Sequence, residues 1–94
     1  VLHASIQGKM TAFLESFPEL GDVQVAHRWS GTMGFSRDGL PMVGAAPGAP
    51  GAVVGAGFTG HGFGFAWRAG EALAQLVLEG RDPLVDLLTP SRLR

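Results

Sequence analysis

The sequence predicts an α+β fold: an antiparallel β-hairpin and a short strand packed with two helices. Three observations carry this. Apolar residues recur at steps of three and four over 2–17 and again over 66–79, the helical period. Between them, residues 23–35 alternate at every second position, the period of a half-buried strand. Most of the fifteen glycines lie between residues 31 and 64, which marks tight turns or a backbone lying close to something else.

The first helix spans 2–17. Leu2, Ile6, Met10, Phe13, Leu14 and Phe17 share one face, and Gln7, Lys9, Thr11 and Glu15 take the others. Pro18 and Gly21 stop it. In the strand 23–35, Val23, Val25, His27, Trp29, Met33 and Phe35 fall on one face. Trp29 is expected in the core, with His27 partly buried beside it and Arg28 opposite as a solvated charge or ion pair. Ser36-Arg37-Asp38-Gly39 is a hairpin turn, with Asp38 shaping it. Residues 40–45 return as a second strand, at an edge because of Pro41. Residues 46–51 are a loop by composition, and 52–55 a short apolar strand. The second helix, 66–79, carries Ala66, Ala69, Gly70, Leu73, Leu76 and Val77 on one face and ends at Gly80. Trp67 and Arg68 at its start are expected to pack. Residues 81–94 are expected to form a short turn of helix or an extended segment.

Length and composition exclude several function classes. A chain of 94 residues holds one core. With 46% hydrophobic and 16% charged residues it is no disordered tail. Seven Lys+Arg against eight Asp+Glu leave no basic footprint for nucleic acid. No apolar run reaches the roughly 20 residues that span a membrane. Zero cysteines remove disulfides, thiolate metal sites and a catalytic thiol. Three scattered histidines, His3, His27 and His61, do not suggest a metal cluster. The expected setting is cytoplasmic. The start at Val1 and the basic end at Arg92-Leu93-Arg94 fit a piece of a longer protein.

One segment is chemical in character: strand, glycine loop, helix, over 52–79. Glycine at 55, 57, 60, 62 and 64 leaves the main-chain N–H groups open to a flat or anionic ligand. The following helix aims its positive N-terminus at the same place. Phe58, Phe63 and Phe65 offer an apolar wall. Three readings fit. Gly55-Ala56-Gly57-Phe58-Thr59-Gly60 matches a dinucleotide-binding G-x-G-x-x-G, which requires a parallel βαβ unit with a second strand at Leu84–Leu88. A purely structural loop is the second. The third comes from resemblance.

Arg28-Trp29-Ser30-Gly31, then Asp38-Gly39-Leu40-Pro41-Met42-Val43-Gly44, then Gly57-Phe58-Thr59-Gly60-His61-Gly62-Phe63, then an alanine-rich helix resemble the C-terminal end of the FAD-dependent amine and amino-acid oxidoreductases, the family of D-amino-acid oxidase, glycine oxidase and sarcosine oxidase. The resemblance covers roughly residues 23–80. It implies that 1–94 is a single C-terminal segment of a larger FAD-binding fold, whose Rossmann-like ADP-binding portion is absent here. It also implies that Gly57, Phe58, Thr59, Gly60, His61, Gly62 and Phe63 line the flavin near its N1–C2=O edge. Backbone N–H donors there would stabilise the charge of the reduced ring as an oxyanion hole does. A helix-end contact of up to ~2 kcal/mol would shift a two-electron potential by about 40 mV. His61 could add a donor.

The resemblance further implies oxidation of a C–N bond of an amine or amino acid, noncovalent FAD, dependence on the remainder of the flavoprotein or a partner chain, and no activity for the isolated 94 residues. Two departures stand out. Gly64 occupies the place of a lysine that some members set near the substrate carboxylate, and no cysteine is present for covalent flavin attachment. The competing expectation is a noncatalytic α+β association module that forms a homo-oligomer through exposed apolar surface.

Overall fold

A computed structural model describes residues 3–94. The chain divides into two compact units, Val1–Gly31 and Thr32–Arg94.

In the first unit, helix α1 spans His3–Ser16. The expected helix 2–17 is thus present, with Leu2 outside the described residues. Ile6, Met10 and Leu14 on the apolar face are half-buried, while Phe13 and Phe17 stay exposed. Their rings lie 4.9 Å apart, tilted by 43°. The Thr11 and Ser16 hydroxyls donate to the Gln7 and Ala12 carbonyls at 3.0 and 2.8 Å, a local bond that these residues make within helices. Pro18 opens a 3-10 turn over Pro18–Leu20, closed by Gly21 N–H on the Pro18 carbonyl at 3.0 Å.

The expected long strand over 23–35 does not form. Residues 23–34 are irregular, and Phe35 alone makes a bridge, to Phe58. Alternation specifies a strand only where another strand takes up its N–H and C=O groups, and no strand runs beside this segment. His27 and Trp29 are accordingly exposed rather than buried, Trp29 at 84%.

The second unit holds a two-stranded antiparallel sheet, β1 Met42–Ala45 and β2 Val53–Ala56, with Met42 opposite Ala56 and Ala45 opposite Val53. The hairpin is therefore closed by 46–52, not by Asp38-Gly39. Three bonds inside that loop shape it, among them Ala46 N–H to the Ala52 carbonyl at 2.9 Å. Pro41, expected at an edge, is fully buried just ahead of β1.

Helix α2 spans Gly62–Glu79, four residues longer at its start than its periodicity suggests. Glycines at 62 and 64 read locally as loop, yet each adopts helical backbone once α2 packs on the sheet. Ala69 and Ala72 are the buried residues of α2, and Leu73 and Leu76 pack beside them. Ala66, Gly70 and Val77, expected on the buried face, are exposed, as is Trp67. Gly80 ends the helix in the left-handed region at φ 83°, its N–H on the Leu76 carbonyl, as expected.

Helix α3, Pro83–Leu88, follows, and a 3-10 turn covers Pro90–Leu93. Where the dinucleotide-binding reading needs a strand, the chain is helical. Asp82 caps α3 and Pro83 takes its first turn, a position that suits proline. The parallel βαβ unit is therefore absent. Val43, Ala69, Ala72, Val85 and Leu88 form the core. Burying a valine or leucine side chain of this kind stabilises by roughly 1.5–3 kcal/mol. Gly44 lies where a Cβ would stand 3.2 Å from both Pro90 and Val85, so its missing side chain lets α3 and the last turn close on β1.

Candidate functional site

The glycine loop leaves β2 at Ala56 and enters α2 at Gly62. Its backbone leaves the usual region three times: Gly57 at φ 65°, Thr59 at φ 53° and Gly60 at φ 83°. Among the described residues Thr59 is the one non-glycine with positive φ. That conformation costs a threonine energy and persists only where neighbours enforce it.

Those neighbours are identifiable. The Thr59 N–H donates to the Gly34 carbonyl at 3.0 Å. Its Oγ1 accepts the Ser36 N–H at 3.2 Å and reaches the Gly57 carbonyl at 3.1 Å. A Cβ on Gly57 would stand 3.1 Å from Met42 Cε and 3.5 Å from Ser36 Cβ. The loop is thus seated on 34–36. No local pattern in the sequence marks Gly34 and Ser36 for this role.

The loop's outer side is open. The His61 N–H donates back to Phe58 at 2.9 Å and its carbonyl accepts from Phe65 at 3.2 Å, but its exposed side chain makes no cap bond. Among the described residues, no hydrogen bond uses the N–H groups of Gly60, Gly62, Phe63 or Gly64. Such unpaired amides carry the positive end of the helix dipole. Beside them lies a concavity of about 420 Å³ lined by Gly60, His61, Phe63, Gly64 and Phe65. A Cβ at Gly60 or Gly64 would meet nothing within 4 Å. At Gly64, where φ is ordinary, the chain's own packing gives no reason for glycine. The expected aromatic wall is changed in one member. Phe58 turns inward against the core, leaving Phe63, fully exposed, and Phe65 outside.

The remaining candidates lie apart from this surface or act structurally. Asp38 shapes its turn as expected, accepting from Leu40 N–H at 3.1 Å, and it also pairs with Arg92. Arg68 pairs with Asp82 at 2.9 Å. Among the described residues no three His, Cys, Asp or Glu side chains gather to hold a metal, and no helix is long and apolar enough to cross a membrane.

The model of one protein family, FAD dependent oxidoreductase (DAO), matches residues 4–76. The chain belongs to this family. The match spans α1, the sheet, the glycine loop and most of α2. The chain is 35% identical over 72 residues to a glycine oxidase of Pseudomonas aeruginosa, covering 77% of this chain and 20% of that protein. It is 34% identical over 74 residues to the probable oxidoreductase OrdL of Rhizobium meliloti, covering 79% of this chain and 17% of that protein. The DAO-family chain thus spans about a fifth of the length of these relatives. No solved structure matches it. A flavin edge fits the surface described: unpaired N–H donors for an electron-rich ring edge, aromatic side chains for its plane, and glycines where side chains would intrude.

Proposed function

We propose that this DAO-family chain is the C-terminal, flavin-contacting portion of an FAD-dependent oxidoreductase that oxidises a C–N bond of an amine or amino acid. The observation that carries this is the glycine loop. It lies within the family match, and its amides at Gly60, Gly62 and Phe63 are unspent at the mouth of α2. When bound, FAD supplies the two-electron acceptor. Residues 57–63 hold its edge, Gly57 and Phe58 through their backbone. The unpaired N–H groups of Gly60, Gly62 and Phe63 would stabilise the negative charge that accompanies reduction. The loop therefore sets a potential rather than moving a proton. Gly64 offers no cation for a substrate carboxylate, which favours an amine or an amino acid anchored elsewhere. FAD is held noncovalently in this segment, since it has no cysteine. The remainder of the flavoprotein, or a partner chain, supplies the ADP-binding portion and most of the substrate pocket, so the 94 residues alone are inactive.

The test is made on the intact protein that carries this chain. It should be yellow as purified or become so with FAD. A panel of amines and amino acids should bleach the flavin band and release an imine that hydrolyses to a carbonyl. A colourless protein that ignores added FAD overturns the reading, and turnover of amines by the isolated 94 residues with FAD overturns the claim of inactivity. The second reading, a self-associating noncatalytic module, has one observation in its favour. Phe63, Trp67 and Leu78 expose an apolar stripe along α2. A FAD-indifferent oligomer by light scattering would favour it.

A further inference from the structure

Thr59 is held in its left-handed conformation by Ser36, and Ser36 is itself held from the far end of the chain. Asp38 Oδ1 accepts from Ser36 Oγ at 3.2 Å, from the Leu40 N–H at 3.1 Å and from Arg92 Nη2 at 3.1 Å. Asp38 Oδ2 accepts from Arg92 Nε at 2.9 Å. The guanidinium thus grips the carboxylate with two parallel bonds, the strong and directional form of this pair. Its other donors are spent on the Leu40 carbonyl at 3.0 Å and the Leu88 and Thr89 carbonyls at 2.6 and 3.2 Å. Arg92 is therefore fixed at both ends, by the end of α3 and by the turn before β1.

The protons assign a direction. An ionised carboxylate only accepts, so the Ser36 hydroxyl proton goes to Asp38. The Ser36 oxygen, 3.3 Å from Thr59 Oγ1, is then the acceptor. Thr59 shares its one hydroxyl proton between Ser36 and the Gly57 carbonyl while taking the Ser36 N–H. A continuous relay runs from Arg92 through Asp38 and Ser36 to the loop residue with positive φ.

We infer that Arg92 is a positioning residue for the glycine loop: through Asp38 and Ser36 it holds Thr59, and so fixes the direction in which the Gly60–Phe63 amides point. Its value to flavin chemistry rests on the function proposed above; the mechanical coupling does not. The C-terminal turn, remote in sequence from the loop, thus becomes part of the loop's support. Conversion to lysine does not replace it, because an ammonium cannot grip both oxygens and three carbonyls from one plane.

Backbone amide exchange of the intact protein tests this, with Arg92→Lys and Ser36→Ala as variants. Ser36→Ala cuts the relay at its middle and leaves every Arg92 bond in place, so it reports even if the Arg92 variant fails to fold. Exchange at the hydrogen-bonded loop amides of Thr59 and His61 should rise about tenfold in either folded variant while α2 amides between Ala72 and Leu76 keep their parent rates. In a Thr59→Gly background, where φ is unstrained, Ser36→Ala should add little. Unchanged exchange at Thr59 and His61, or an equal rise throughout α2, overturns the inference. FAD titration of the same samples reads the other claim separately. A parent that ignores FAD sinks the flavin reading while the exchange pattern still decides the relay.

Discussion

Arg68 of α2 and the N–H of Leu84 meet on one oxygen of Asp82, at 2.9 and 2.8 Å. A single buried carboxylate thus caps α3 and ties it to α2. The Arg68 bond, helped by the Leu84 N–H, holds the Asp82 carboxyl below its usual range although burial opposes this. Replacing Asp82 with alanine should lower the melting temperature by about 4–8 °C, the loss expected of a cap in a domain this size. Asp82→Asn, which keeps an acceptor for Leu84 but loses the charge for Arg68, should fall between. Thermal melting followed by circular dichroism checks both.

Asp38 gives a pH dependence. The Arg92 bond, then the Leu40 N–H, lowers its carboxyl from 3.8 to about 2. A group lowered on folding binds fewer protons in the folded state. Its stabilisation is therefore complete above the ordinary carboxylate range and is lost as pH falls through the folded value. The melting-temperature gap between the parent and Asp38→Asn should stay constant from neutral pH down to about 5 and close by about 2. A gap that vanishes at neutral pH would contradict the pairing.

Gly57 should tolerate no side chain. Alanine there would take φ 65° and bring its Cβ to 3.1 Å from Met42. The expected cost is about 1–3 kcal/mol, from strain and overpacking together. Gly8→Ala in α1 is the contrast, since nothing lies within 4 Å of that Cβ and helix propensity alone should stabilise by about 1 kcal/mol. Urea unfolding of both variants measures the difference.

Much of this was legible in the residues because it is local. The 3.6-residue period of α1 and α2, the Gly80 stop and the strand–loop–helix order over 53–79 all follow from neighbours in sequence. The pairing of β1 was not. Asp38-Gly39 is a strong turn signal, and Gly39 does adopt φ 77°, but the Asp38 carboxylate is taken by Arg92, 54 residues away. The segment before that turn pairs only at Phe35. Alternation likewise places Trp29 in the core, and Trp67 is expected to pack, whereas burial depends on what packs against them, and both are exposed. The capping role of Asp82-Pro83 does carry a local signal, an Asp followed by proline at the first helical position. Thr59 stood in view within the glycine loop, but its positive φ and its support from Ser36 are tertiary facts.

Gly64→Leu tests the central claim most directly, because the fold and the ligand make opposite demands there. The position is helical and open, with no atom within 4 Å of a Cβ. Leucine should therefore raise the stability of the protein itself by about 0.5–1 kcal/mol. If residues 57–63 hold a flavin edge, the same side chain projects into its place. FAD titration of the intact protein should then show at least a roughly tenfold loss of affinity beside the gain in stability, since displaced contacts of about 1.4 kcal/mol suffice for that. Unchanged FAD affinity in a stabilised Gly64→Leu variant would place the flavin elsewhere.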